Sequence, residues 1–396
     1  MRTPSDLDPS SAIAYQRPNQ RDPTLTGCSG TGLPSAAASF RLSSSALNDM
    51  RVGIFLPSWI GDACMATPAV RAVREHLPDA ELIAVSRPGP AALLEGSPWF
   101  SEWLIYKPGD SGGDFGRRQL IRRLRQSQLD AMLLLPNSLS AAAIAFAARI
   151  PRRIGYSKDC RGLLLTERLR RPRGVRPLIE SYLELTRALG CVSVDGRMEL
   201  PLAEDDLARC RRLKQSFGCE FSRPTVVINN SAATAGSRLW PSQYVVHLCR
   251  RLIAATDVQV VLHCGPNDRE ATNAVWEQVG SPRATSMGQW PELPLGLSKA
   301  VLAEADVVVS SDSGPRHIAA AFDRPVVSFF GPTDPRATQT FNSTEVVLEA
   351  FEECRPCGKT ECPLKHHRCM RNIDVDAVFA AVLELLDRRR GLRIAG

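Results

Sequence analysis

No apolar run in the 396 residues approaches the roughly 20 that a membrane-spanning helix requires, and the best candidate, 141–148, falls far short. Aromatic residues are scarce at 6%. They do not interleave with arginine as nucleic-acid platforms require, and neither a zinc-finger nor an RNA-recognition signature is present, so nucleic acid is set aside as a partner. Residues 1–49 hold no apolar core of secretory length. Rich in Ser, Pro, Ala, Thr and Arg and poor in periodicity, they read as a disordered N-terminal extension. Met50 stands directly before the first strand-like run, where an initiator would stand.

What the chain has in surplus is positive charge, in one place. Of a net +7, residues 101–200 carry 18 Lys and Arg against 10 Asp and Glu, so the rest is nearly neutral. The arginines cluster at 117–125, 149–153 and 168–176. Many of them are solvated surface, but so basic a half suits a polyanion such as anionic lipid headgroups or a phosphorylated glycolipid. A hydrophobic content of 44% with 23% charged residues is ordinary for a globular protein. The length implies two cores. Of twelve cysteines, eight stand singly, the pattern of buried, reduced thiols.

Strand and helix patterns alternate from Met50 onward. Strands are expected over 52–56, 82–85 and 131–135, with helices from near Thr67 (Pro68 in its first turn) and over 117–126, 140–148 and 178–189. A passage beginning at Pro201 leads to a second series. It comprises strands over 225–229, 258–263, 307–310 and 326–330, with helices over 241–254, 269–279 and 315–322. Such alternation in both halves implies two parallel-sheet α/β domains. The expected order is an extension over 1–49, a first Rossmann-like domain over 50–205, a second over 206–374 and a C-terminal helix over 375–396 that packs back across the halves.

The most informative string follows the strand ending at Ser311: Asp312-Ser313-Gly314-Pro315-Arg316-His317, then a second strand and Gly331-Pro332-Thr333-Asp334-Pro335. An Asp and a hydroxyl at the carboxyl end of a strand, opening a helix whose free N–H groups favour anions, fit a nucleotide site. Three further motifs run in order. They are Ser58-Trp59-Ile60-Gly61-Asp62, Leu135-Pro136-Asn137-Ser138 (with Arg153-Ile154-Gly155-Tyr156 downstream), and Arg238-Leu239-Trp240-Pro241.

Together these strings, over roughly Met50 to the C-terminus, resemble family 9 glycosyltransferases, the lipopolysaccharide heptosyltransferases, and most of all the branch that adds the second inner-core heptose. The resemblance implies a GT-B fold, two Rossmann-like domains facing each other across a cleft. It implies inverting transfer from ADP-L-glycero-D-manno-heptose to the inner-core heptose of a lipopolysaccharide precursor, at the cytoplasmic face of the inner membrane. Asp62 corresponds to the family's general base; by position alone it also reads as a helix cap. Thr234, Arg238 (where Lys is frequent), Asp268, Asp312, Ser313, Gly314 and His317 correspond to the ADP-sugar pocket. His317 reads equally as a structural histidine, and the loop of Arg238 as plain surface. No catalytic metal is implied. Another family 9 donor or acceptor, or a non-catalytic nucleotide-binding scaffold, are the alternatives.

Cys354, Cys357, Cys362 and Cys369, with His366 and His367 between the last two, have the density of a zinc knot in a non-standard spacing. Structural zinc remote from the chemistry, disulfides and packed free thiols all remain open from the spacing.

The extension lacks the apolar area to offset its ordering entropy. A chain beginning at Met50 is therefore expected to fold and to keep its full activity, measured beside the 396-residue protein; loss of solubility or activity refutes this.

Overall fold

The computed structural model describes residues 50–394, apart from 111–112, 159, 172, 193–194, 221, 232–235 and 342–343. The expected extension and Thr234 therefore lie outside the described residues.

The continuous apolar runs become the centres of two six-stranded parallel sheets, buried on both faces as such strands must be. The first comprises β1 (Arg51–Phe55), β2 (Glu81–Ser86), β3 (Glu102–Ile105), β4 (Ala131–Leu134), β5 (Arg152–Ser157) and β6 (Glu167–Arg170), in the order β3-β2-β1-β4-β5-β6. The second comprises β7 (Thr225–Asn229), β8 (Gln259–His263), β9 (Ala284–Ser286), β10 (Val307–Ser311), β11 (Val326–Phe330) and β12 (Glu345–Glu349), in the order β12-β11-β10-β7-β8-β9. Both orders reverse direction once, between β1 and β4 and between β7 and β10. Chains leaving those paired strands diverge to opposite sides, which opens a crevice at the carboxyl ends.

Helix Ile60–His76 begins earlier than the expected start near Thr67, so Pro68 lies well inside it. A proline there removes the N–H that would reach the Cys64 carbonyl four residues back. The Thr67 hydroxyl donates to that carbonyl instead, at 2.8 Å, and accepts from the Glu199 N–H at 3.1 Å. The local defect is thus repaired and used to hold the interdomain connection.

The same helix packs against helix Leu178–Thr186 of its own unit and against helix Gly314–Ala321 of the other. One apolar cluster consequently runs through both units, including Met65, Val70 and Val73 from the first and Leu297, Val301 and Ile318 from the second. Lys299, 2% exposed, donates to the carbonyls of Leu93 and Pro201, each at 3.0 Å, and ties the second unit to the first and to the connecting segment.

The last helix, Val375–Ile394, does not cross back over the halves. Val378, Ala381, Val382 and Leu385 recur at helical spacing and form one apolar stripe, packed with Val226, Val309 and Phe329 of the second sheet. Arg389 adds a 2.9 Å bond to Asp306. Among the described residues its apolar stripe is spent on the second sheet, which leaves none for the first.

Thr67→Val keeps the side-chain shape but leaves the Cys64 carbonyl and the Glu199 N–H without partners. At about 1–3 kcal/mol per orphaned group, urea unfolding is expected to show a loss of about 2–6 kcal/mol. A loss within experimental error of zero sinks this account.

Candidate functional site

On the second unit, the site grows from the ends of β7 and β10. Asn229 is fully buried and its Nδ2 donates to Ser310 Oγ at 3.1 Å and to Ser313 Oγ at 2.9 Å. Its Oδ1 accepts from Ser231 Oγ at 2.8 Å and faces His263 Nδ1 at 3.1 Å. That acceptor requires the ring proton on Nδ1, so Nε2 accepts from Ser298, 2.6 Å away. Burial pushes the His263 pKa down to about 4 and keeps the ring neutral. This polar ladder fixes Ser313 at the head of helix Gly314–Ala321.

Asp312, 4% exposed, is held by its neighbours. Its carboxylate accepts from Thr338 Oγ1 at 3.1 Å and lies 3.5 Å from Arg316 and 3.7 Å from Arg238. Arg238 also donates to the Asp312 carbonyl at 2.8 Å. Burial alone would push the carboxyl up, but the two guanidinium groups outweigh it and hold it below the usual range. Arg316, 1% exposed, makes a two-pronged contact with Glu345 at 2.5 and 3.0 Å and lies over the Phe330 ring. Neither Arg316 nor Glu345 was singled out from the sequence. The i, i+4 spacing of Asp312 and Arg316 was a signal for the first; nothing local pointed to Glu345 on an edge strand.

Asp62 approaches from the first unit, in the opening turn of helix Ile60–His76. It makes no hydrogen bond among the described residues, so capping does not explain it. What allows the approach is Gly61: a Cβ there would sit 2.9 Å from the His317 ring, and one on Gly314 would meet Ile60 at 3.4 Å. The helix starts thus meet almost backbone to backbone. Burial first, and then the charge of Asp312, raise the Asp62 pKa from 3.8 to about 6 against the opposing charge of Arg238. His317, 3% exposed, is pushed down to about 4 by burial and then by Arg316, and its Nδ1 has no partner among the described residues.

Asp62 also lines a cleft of about 360 Å³ at the switch point of the first sheet. That is at the small end of the roughly 300–1,000 Å³ range of small-molecule sites. Arg87, Arg117, Asn137, Ser138 and Tyr182 contribute to its wall. The wall segment around Asn137 is braced from below by Arg161, fully buried, which donates to the Pro136 carbonyl at 2.6 Å. Gly155 makes room for it, since a Cβ there would lie 2.5 Å from the guanidinium.

Of the residues expected at the site, Asp62, Arg238, Asp312, Ser313, Gly314 and His317 come together. Asp268 does not join them. It precedes helix Arg269–Val279 after β8, one strand further out, and shares no hydrogen bond or ion pair with the Asp312 group among the described residues.

The cysteine segment is nearer to the site than expected. Ser237, beside Arg238, donates its N–H to the Thr360 carbonyl (3.1 Å) and its hydroxyl to the Lys359 carbonyl (2.7 Å), while the Gly358 N–H donates to the Pro332 carbonyl at 2.8 Å. Four backbone N–H groups, from His367, Leu364, His366 and Lys365, pull the Cys362 thiol down, and burial pushes Cys369 up to about 11. Among the described residues no three His, Cys, Asp or Glu side chains are arranged to hold a metal ion.

The family model described as "Glycosyltransferase family 9 (heptosyltransferase)" matches residues 117–368. A Salmonella typhimurium protein named lipopolysaccharide heptosyltransferase 2 is 27% identical over 85% of this chain and 99% of its own. The solved structure of Escherichia coli ADP-heptose lps heptosyltransferase II superposes with a TM-score of 0.71 at 24% identity, covering 86% of this chain and 100% of that one. A family 9 glycosyl transferase from Veillonella parvula gives 0.74 at 20% identity, covering 86% and 99%. The fold they share with this chain is GT-B.

The folded-state pKa of Asp62 lies above its unfolded value, so ionising it costs native stability. The cost is absent below about pH 3, grows between about pH 4 and 6 and is complete at pH 7.5. Asp62→Asn is therefore expected to stabilise the fold by roughly 2–3 kcal/mol at pH 7.5 and by almost nothing at about pH 3. Equal unfolding free energies at pH 7.5 would falsify the raised pKa.

Proposed function

The chain belongs to glycosyltransferase family 9, and on that footing we propose that it moves heptose, with inversion, from ADP-L-glycero-D-manno-heptose to the inner-core heptose of a lipopolysaccharide precursor presented at a membrane surface. The observation that carries the proposal is the pair of electrostatically coupled carboxylates with opposed properties. Asp62 titrates near 6 and opens onto the first-unit cleft, whereas Asp312 stays ionised among arginines on the second unit. The names of the relatives, lipopolysaccharide heptosyltransferase 2 and ADP-heptose lps heptosyltransferase II, support the donor and acceptor.

In this reading the acceptor occupies the cleft beside Asp62 and the donor lies over the head of helix Gly314–Ala321. The acceptor hydroxyl attacks the anomeric carbon and gives its proton to the Asp62 carboxylate. The bond from that carbon to the diphosphate breaks, and ADP departs with the electron pair. A base with a pKa near the working pH takes the proton efficiently while remaining largely ionised. Arg238 and the free N–H groups of the helix start, with Ser313 beside them, offset the diphosphate charge that develops. Asp312 holds donor sugar hydroxyls. His317, neutral, packs against Gly61 and keeps the two helix starts in register. Asp268, from the loop after β8, and Thr234 remain donor contacts in the proposal. The reaction asks for no divalent cation, and the four cysteines, if they take zinc, brace the loop of Arg238.

Incubation with a panel of nucleotide sugars and heptose-bearing acceptors should yield one added heptose from ADP-heptose, undiminished by chelator. Asp62→Asn should lower kcat by about 10² to 10⁴ while calorimetric ADP binding holds. Arg238→Ala should instead weaken ADP binding by about 1.5–3 kcal/mol. For the wild type, kcat/KM should fall with acidification below about pH 6, as the base is protonated. Transfer from a different nucleotide sugar, or none from any, overturns the reading.

A further inference from the structure

The cleft beside Asp62 opens on elements that also carry exposed apolar side chains. Leu139, Ala143 and Phe146 stand at i, i+4 and i+7 of helix Leu139–Ala147 and so share one face. Leu139 is 53% and Phe146 52% exposed, and Leu163, on the turn Arg161–Leu164 packed against that helix, is 77% exposed. A single exposed leucine needs no explanation, but a stripe of this kind does.

Its surroundings are basic. Arg153 lies over the Phe146 ring at 5.4 Å, Arg125 donates to the Ala147 carbonyl at 3.1 and 2.7 Å, and Arg149 is exposed just past the helix. Arg118 and Arg122 are exposed on helix Arg117–Gln126, which packs against the same helix. Across residues 117–173, 14 Lys and Arg stand against 3 Asp and Glu, a ratio that favours an anionic surface over a protein face of mixed charge. Ser138, Ser140 and Arg117 line the cleft itself, so the cleft mouth adjoins the start of the stripe at Leu139. Among the described residues no helix is long and apolar enough to cross a membrane.

We propose that Leu139, Phe146 and Leu163, with Arg118, Arg122 and Arg149 around them, form the surface by which the protein docks on an anionic bilayer, its cleft turned toward the lipid. The inference rests on the acceptor's being lipid-borne, as read above. The apolar side chains enter the boundary between headgroups and acyl chains, as the apolar face of an interfacial helix does. The arginines meet lipid phosphates, each adding on the order of fivefold to association near the surface. An acceptor anchored in that bilayer then presents its sugars to Asp62 without leaving the membrane.

The test uses the full chain without substrate, sedimented with phosphatidylcholine vesicles that contain or lack phosphatidylglycerol. Binding is expected only with the anionic lipid and is expected to weaken as salt rises. The triple variant Leu139→Ser, Phe146→Ser, Leu163→Ser should bind at least about tenfold less, and Arg118→Glu with Arg122→Glu should act in the same direction. All these side chains are exposed, so the variants should unfold at the wild-type temperature. Turnover of a delipidated, soluble acceptor should be unchanged in the triple variant, which separates docking from chemistry. Wild-type vesicle binding through this patch without turnover of any acceptor would retain the docking surface and remove the transfer reading. Undiminished vesicle binding by the triple variant, or a patch that only drives self-association or holds another protein, overturns the proposal.

Discussion

Everything distinctive about this molecule depends on how closely two helix starts approach each other. Gly61 lies against the ring of His317, and Gly314 lies against Ile60, with no side-chain volume to spare between them. One added methyl group at Gly61 would press on the His317 ring, so the ring or one of the helix starts would have to shift. Their approach brings Asp62, carried by the first sheet, under the electrostatic influence of Asp312 and Arg238, carried by the second. The Lys299 bonds to Leu93 and Pro201, and the Thr67 bond to Glu199, hold the same arrangement from behind.

Two carboxylates whose charges interact are driven in opposite directions. Asp312 is the more buried, yet two guanidinium groups keep it ionised; Asp62 has its charge disfavoured by burial and by Asp312. Such divergence separates a fixed anion from a group poised to accept a proton. It also sets activity against stability, because the ionised Asp62 that suits proton transfer is a charge the fold would be more stable without. The neutral histidines belong to the same economy of charge. His263 and His317 are buried deeply enough to stay uncharged, and they serve as wedges and hydrogen-bond partners beside the acids.

How far the sequence could be read depended on position in the sheets. The central strands β1, β4, β7, β10 and β11 were legible as apolar runs, because burial on both faces demands them. The edges were not. β6 is the alternating Glu167-Arg168-Leu169-Arg170 and β12 is only half-buried, so their sequences resemble loops, and strand pairing rather than composition made them strands. Glu345 was missed for that reason, and with it the partner that lets Arg316 be buried. Pro68 misled in another way: its usual place is a helix start, and only the spatially adjacent Thr67 hydroxyl makes it tolerable in the interior. The last helix was correctly read as a helix, but its stripe did not say which sheet it would cover.

The linear order of strands, turns and helices, the basic character of 101–200, and the strings around Asp62, Arg238 and Asp312 were determined by the sequence alone. Each reflects a local demand: an apolar run to be buried, a turn that needs a glycine, a helix start that favours an anion. The tertiary structure decided what those strings do together. It set both strand orders and hence the switch points, and it put Asp268 one strand away from the site while strapping the cysteine segment to the loop of Arg238. It also raised the pKa of Asp62, since desolvation and the field of a charge 250 residues away in the chain exist only once the two units have closed on one another.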